Sequence, residues 1–451
     1  MKFNIKNKLT AGVALLSIML SANSCKKGVF YEGLNTNPAQ LTTPTPTLLL
    51  PGVITSTGYV WDGDASRFSS LFIQQATGSA NQANSFSAYA VGTGDVDGLW
   101  TNLYGGAGGV MTNANQLIQL ANKAGDVHYA GIGEILMANA LGLTTDFWGD
   151  VPYSQAFQGA ANVNPSYDSQ QQIYTTIDGL LTDAITKLAA SDAGAQPGTD
   201  DLIYGGNLKN WSALAYGLKA KFYIHLGKTD PSNYAKAIAA AKSAIAGGFN
   251  SAATNFAVPF LGASTTSQSP WYQFNSQRGD IAFTGYIYDI MKAAKDPREV
   301  STVYGDGQGS LGDLYGSPSS PVELFTYDEL LFVESEAYYQ TNDKVNAAAT
   351  YNAAVAANLT RTVGSAGYAA TVAKTAANIT LNDVMTQKYI ADFLDPETWT
   401  DYRRTGLPAL TPNPQGNGVI PRSLLYPISE VINNSSTPKN TTLARKVYWD
   451  K

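Results

Sequence analysis

The fold of this 451-residue chain turns on two stretches: Tyr234-Ala-Lys-Ala-Ile238 with Ala244-Ile245 behind it, and Ala348-Ala-Thr-Tyr351-Asn-Ala-Ala354-Val355. In both, alanines recur at helical steps beside a Tyr or Ile. Small residues let two helices approach closely, and the larger side chain fills the groove between them. The segments ahead of them, 208–227 and 326–341, carry a helical apolar pattern. Asp230-Pro231 and Asn342-Asp343 supply the turn and cap between the members of each pair. Apolar periodicity extends the reading to windows at 110–124, 127–143, 168–190, 208–227, 232–247, 283–294, 326–341, 344–359 and 380–394. Within 168–190, for example, Ile173, Ile177, Leu180, Leu181, Ala184, Ile185 and Leu188 recur at three- and four-residue steps. No sustained two-residue alternation appears. The sequence therefore predicts an all-α fold of helical pairs with long loop insertions and little β structure.

Composition narrows the function. The chain is 44% apolar and 11% aromatic, which is too rich for disorder. Only 14% of residues are charged, against about 25% in an ordinary soluble domain. A formal charge of −6 with no long Lys/Arg run argues against nucleic acid. Two histidines and one cysteine leave almost no material for a His/Cys zinc site, and a single cysteine rules out an internal disulfide. Asp95-Val-Asp97-Gly98 and Asp306-Gly-Gln-Gly-Ser-Leu-Gly-Asp313 offer oxygen ligands, but neither completes a calcium loop of the EF-hand kind. No metal and no cofactor are expected.

The N-terminus reads as an export signal. Lys2, Lys6 and Lys8 precede an apolar run over 9–20. That run is shorter than the roughly 20 residues a membrane span needs. Small residues lead to Cys25, in a pattern that resembles a bacterial lipoprotein signal with Ala22 where Leu is usual. Residues 1–24 are thus expected to be a signal peptide and Cys25 the lipidation site, giving a membrane anchor. Residues 25–58 read as the acylated cysteine, a tether and a leading loop. Residues 59–451 read as a single helical domain with insertions at about 59–94 and 250–325.

No catalytic constellation emerges. A glycosidase needs two carboxylates across the scissile bond. The pairs Asp62/Asp64, Asp95/Asp97 and Asp146/Asp150 have no supporting pattern, and Glu334 and Glu336 point to different sides of a helix. Gly-x-Ser-x-Gly, His-Glu-x-x-His and phosphate-binding glycine loops are missing. Binding is better served, because rings pack on sugar C–H faces while amides and arginines pair with hydroxyls. The insertions concentrate those residue types, and Trp61, Tyr89, Trp271, Tyr272 and Arg278 are expected to line one pocket for an oligosaccharide or similar nutrient. Trp100, Tyr104 and Trp148 read as packing residues. Asp150 and Asp401 read as partners of loop amides or arginines, and His128 and His225 as core or surface residues.

The order of local motifs adds a resemblance. The motifs are Leu34-Asn-Thr-Asn-Pro38, Trp100-Thr-Asn-Leu-Tyr104 with Asn113-Ala-Asn-Gln-Leu-Ile118, and Asp146-Phe-Trp-Gly-Asp-Val-Pro-Tyr153. Lys295-Asp-Pro-Arg298, Thr326-Tyr-Asp-Glu-Leu330 and Glu334-Ser-Glu-Ala337 follow. Trp399-Thr-Asp-Tyr-Arg-Arg-Thr-Gly406, Ile420-Pro-Arg422 and Tyr426-Pro-Ile-Ser-Glu430 close the series. Together they resemble the SusD/RagB family of nutrient-binding outer-membrane lipoproteins, and the two opening stretches resemble the second helix of a tetratricopeptide repeat. The resemblance implies a tetratricopeptide-like scaffold at the cell surface, acting as the lid of a SusC-like TonB-dependent transporter. A helical scaffold for protein or peptide partners without a sugar site is the rival reading, and a polysaccharide-degrading enzyme is a more distant one.

Overall fold

Alanine spacing and N-terminal caps set most of the helices. The computed structural model describes residues 44–451 apart from Ala107 and Asp192, so the signal segment and Cys25 lie outside the described residues. The chain enters helix α1 (Pro46–Val60), with extended Thr45 as cap and Pro46 in the first turn. Pro suits that place because its missing N–H would have no helical partner there. The tether and leading loop expected as far as residue 58 is therefore helical from Pro46 onward. A single π-turn (Trp61–Ala65), broken at Gly63, joins α1 to α2 (Ser66–Phe72). Helices α3 (Asn81–Ser87) and α4 (Asp97–Tyr104) follow.

The scaffold then stacks long helices one on the next: α5 (Val110–Ala124), α6 (Val127–Trp148), α7 (Gln170–Ala189), α8 (Leu208–Leu226) and α9 (Ser232–Gly247). After α10 (Pro270–Gln277) and α11 (Tyr286–Ala294), the pair α12 (Tyr327–Gln340) and α13 (Lys344–Val363) packs on α9. Helices α14 (Leu381–Ala391), α15 (Glu397–Thr405) and α16 (Ile428–Asn433) complete the fold. Side-chain caps at Ser169, Asn207, Thr326, Asp343 and Thr380 start α7, α8, α12, α13 and α14.

Helix α6 is buried on every side over 128–148, which makes it the spine of the stack. A Cβ on Gly142 would stand 2.4 Å from the Phe222 ring, so this glycine lets an aromatic side chain of α8 pack directly on the α6 backbone. Ala237, Ala241 and Ala244 of α9 are fully buried against α8, as their spacing predicts. The two pairs expected at 208–247 and 326–359 are both present. Strands are few and short. β1 (Thr77–Gly78) pairs antiparallel with β3 (Ile281–Ala282), and β2 (Phe256–Val258) with β4 (Val322–Phe325). No helix among the described residues is long and apolar enough to cross a membrane.

Charges enter the core where α15 meets the scaffold. Arg404 forks onto Glu336 at 2.8 and 2.9 Å and also reaches Asp401. Lys388 lies 2.6 Å from Asp401, and Lys221 lies 3.1 Å from Glu329 and 3.2 Å from Glu397. His225 shares a hydrogen bond with Glu397 at 2.7 Å, deep in the core. Trp148 packs in the core and donates to the Leu425 carbonyl, and Asp150 accepts from the Gln170 amide. Those residues hold the structural roles expected of them.

Candidate functional site

The two insertions fold into one wall. β1 and β3 register Thr77 with Ala282 and Gly78 with Ile281, which joins the early insertion to the late one. Only glycine fits at 78, because an added Cβ would sit 1.8 Å from the Ala83 carbonyl oxygen. The Gly78 amide donates to Ser87 Oγ at 2.7 Å, so α3 folds down onto the strand. Asn81 Nδ2 donates to Asp280 Oδ1 at 2.8 Å, and the Ser79 amide donates to the Asp280 carbonyl, also at 2.8 Å.

A cleft of about 290 Å³ opens between α2, α3 and α10. Phe86 of α3 and Phe274 of α10 line it and are half-buried, leaving part of each ring to solvent. Phe68 supports Phe86 from α2 at 4.9 Å between ring centres. The Arg67 guanidinium lies 4.6 Å from the centre of the Phe274 ring while pairing with the Asp64 carboxylate. This arrangement presents a cation-stabilised ring edge and fixed donors in one place. Gln82 and Arg278 also border the cleft and are exposed. Asp62, close by in sequence, turns away from it. Burial, then Asp395 and Glu323, push its carboxyl well above the usual carboxylate range, and the Arg67 charge does not offset them. Asp62 lines a separate small polar cavity of about 20 Å³ together with Glu329, Arg361 and Asp395.

The five residues expected to share a pocket do not. Trp61, Tyr89 and Trp271 are core residues, at 4%, 4% and 0% exposure. Trp61 Nε1 donates to Asp395 Oδ2 at 3.1 Å, and Trp271 Nε1 donates to Ser66 Oγ at 2.9 Å. The Tyr89 hydroxyl accepts from the Asn413 amide at 2.9 Å. Each polar tip finds a hydrogen-bond partner within the fold, so the ring is free to pack inward. Arg278 borders the cleft just described, whereas Tyr272 lines a different, more open one. Arg67, Phe86 and Phe274 lie within the stretches singled out in the sequence but were not among the five. Trp271 and Phe274 stand one turn apart on α10 with ring centres 6.5 Å apart, so helical spacing does not separate the buried ring from the half-buried one; the Ser66 acceptor for the Trp271 N–H does. A third cleft, about 330 Å³, lies in the scaffold between α7, α8 and α9. There the ammonium groups of Lys219 and Lys236 each stand 5.7 Å from the Tyr223 ring centre, and the Tyr223 hydroxyl donates to Asp178 Oδ1 at 2.6 Å.

Comparisons with known proteins agree with this architecture. No curated protein sequence matches the chain. Among solved structures, a SusD/RagB family protein from Bacteroides thetaiotaomicron superposes with a TM-score of 0.73 at 23% identity, over 90% of this chain and 99% of that one. A chitin-binding protein gives 0.74 at 22% identity, over 90% and 100%. A chitin-binding SusD homolog from Flavobacterium johnsoniae gives 0.69 at 20% identity, over 89% and 98%. At these identities the likeness establishes the fold. The family model for SusD-like proteins, described as starch-binding and associating with the outer membrane, matches residues 38–427, and the chain belongs to that family.

Proposed function

We propose that this protein binds a glycan in the cleft between α2, α3 and α10, without cutting it, and passes it to a barrel transporter of the outer membrane. One observation carries the reading: Arg67 laid on Phe274, with Phe86 lining the same solvent-open cleft. Half-open rings offer faces for sugar C–H groups, and the guanidinium and amides offer donors for hydroxyls. The family's description as starch-binding and the chitin-binding names of two structural neighbours support the same ligand class. Binding without bond cleavage fits the carboxylates of the cleft, since Asp64 is tied to Arg67 and Asp280 accepts from Asn81. A glycosidase would need one of them free to deliver a proton. Anchoring through an acylated Cys25, and a lid-like seat on a SusC-like TonB-dependent transporter, complete the proposal.

Calorimetric titration with chito- and malto-oligosaccharides tests it. Phe274→Ala is expected to weaken binding of the preferred series about tenfold, a loss of roughly 1.4 kcal/mol. Unchanged affinity in that variant would remove the cleft from ligand binding. Release of shorter products by the purified protein would replace binding with catalysis.

A further inference from the structure

Helix α10 borders two clefts, one on each side. At about 100° per residue, Phe274 and Gln277 fall on one face of the helix, and Tyr272, Asn275 and Ser276 fall on the opposite face. The first face closes the 290 Å³ cleft, and the second borders an open cleft of about 450 Å³. Ile281 of β3 lines both, so the two clefts meet at the same strand. The ridge between them is low at one end. The helix stops at Gln277, and Arg278 and Gly279 follow, the former lining the first cleft and the latter the second. Gly279 has φ 64°, a conformation that side chains disfavour, and a Cβ placed there would meet nothing within 4 Å. At Gly279 the saddle is thus bare backbone open to solvent, beside the exposed Arg278 side chain.

The two clefts differ in chemistry. The first carries Arg67, Arg278, Asp64 and Asp280. The second has no charged lining: glycines 279, 309 and 316 leave it low, serines 79, 276 and 310 supply hydroxyls, and Tyr272 supplies one half-buried ring. Asn275, which also lines it, keeps Oδ1 buried with no hydrogen-bond partner. A buried acceptor without a donor is costly unless a ligand or water supplies one. A neutral, hydroxyl-bearing ring matches that lining, and a charged unit does not. The first cleft alone lies at the small end of single-ligand sites, about 300–1,000 Å³.

We infer that the two clefts are consecutive subsites for one linear glycan, which crosses the Arg278-Gly279 saddle and places neutral sugar units against Tyr272. The inference rests on the glycan reading of the first cleft and adds to it a ligand length and a neutral far end. Calorimetry with the dimer and the hexamer of the chito and malto series tests it. The hexamer is expected to bind the intact protein at least about tenfold more tightly than the dimer. Tyr272→Ala removes the ring, and Ser276→Trp fills the open cleft from an exposed position; both are expected to flatten that gain with length while the circular dichroism spectrum is kept. Phe274→Ala is expected to weaken dimer and hexamer alike. Equal affinity of the intact protein for dimer and hexamer, or a length gain untouched by both cleft variants, overturns the inference and leaves the first cleft standing. Binding of none of the four sugars overturns the glycan reading itself and this inference with it.

Discussion

The helical scaffold and the cleft wall are held together in different ways. In the scaffold, α6 is buried all round, and core charges come with several partners each: Arg404 with Glu336 and Asp401, and Lys221 with Glu329 and Glu397. In the wall, two insertions meet through a pair of two-residue strands, the Asn81–Asp280 hydrogen bond and an arginine lying on a half-open ring. Many mutually dependent contacts make the first region rigid and intolerant of change. In the second region the exposed side chains that border the cleft, Gln82 and Arg278 among them, can be exchanged at little cost to the fold.

That contrast has measurable consequences. Arg404→Ala leaves Glu336 buried without its cation, while Asp401 keeps Lys388, and is expected to cost about 3–5 kcal/mol, read as a large drop in the denaturant midpoint. A loss below about 1 kcal/mol would put the scaffold's charges on the same footing as surface ion pairs. The pH dependence comes next in size. Burial alone would lower the His225 imidazole, but Glu397 and Asp146 outweigh it and hold the group at about 9. Burial likewise pushes Glu329 and Asp392 upward, against the pull of the neighbouring lysines. The folded protein then keeps protons that the unfolded chain gives up earlier. The histidine's contribution is full below about pH 6.5 and is lost as pH rises through about 9. Melting temperature is therefore expected to fall between pH 6.5 and 9, equivalent to about 1–3 kcal/mol, with His225→Gln giving a shallower slope. A rise in stability over that interval would contradict the protonated state of the junction. The smallest effect belongs to the wall: Asn81→Ala is expected to cost about 0.5–1.5 kcal/mol by thermal unfolding.

Legibility in the sequence followed the range of the forces involved. Helices α5 and α9 have the bounds that apolar spacing predicts, 110–124 and 232–247, and the Asp343 cap lies where the sequence signals it. Helices α2, α3, α10 and α15 escaped notice because they are short and polar, and each is held by contacts distant in sequence. α15 is the clearest case, with Trp399 against Phe147 and Arg403 donating to the Asp146 carbonyl. The ring assignments failed for a related reason. A tryptophan in an Asn- and Ser-rich stretch resembles an exposed binding residue until its N–H acceptor is known, and for Trp61 and Trp271 those acceptors are Asp395 and Ser66.

The chain by itself determined the stacked helical pairs, the scarcity of sheet and the order of motifs that marks the family. Those features depend on periodicity, capping and small-residue spacing, which act within a few turns of one helix. Tertiary structure alone decided which aromatic rings face solvent and which charges share a core. A ring's direction is settled by the partner that satisfies its polar atom, and here that partner stands hundreds of residues away or on a different insertion. Arg67 and Phe274 come to line one cleft only once the β1–β3 pairing has brought their two segments together.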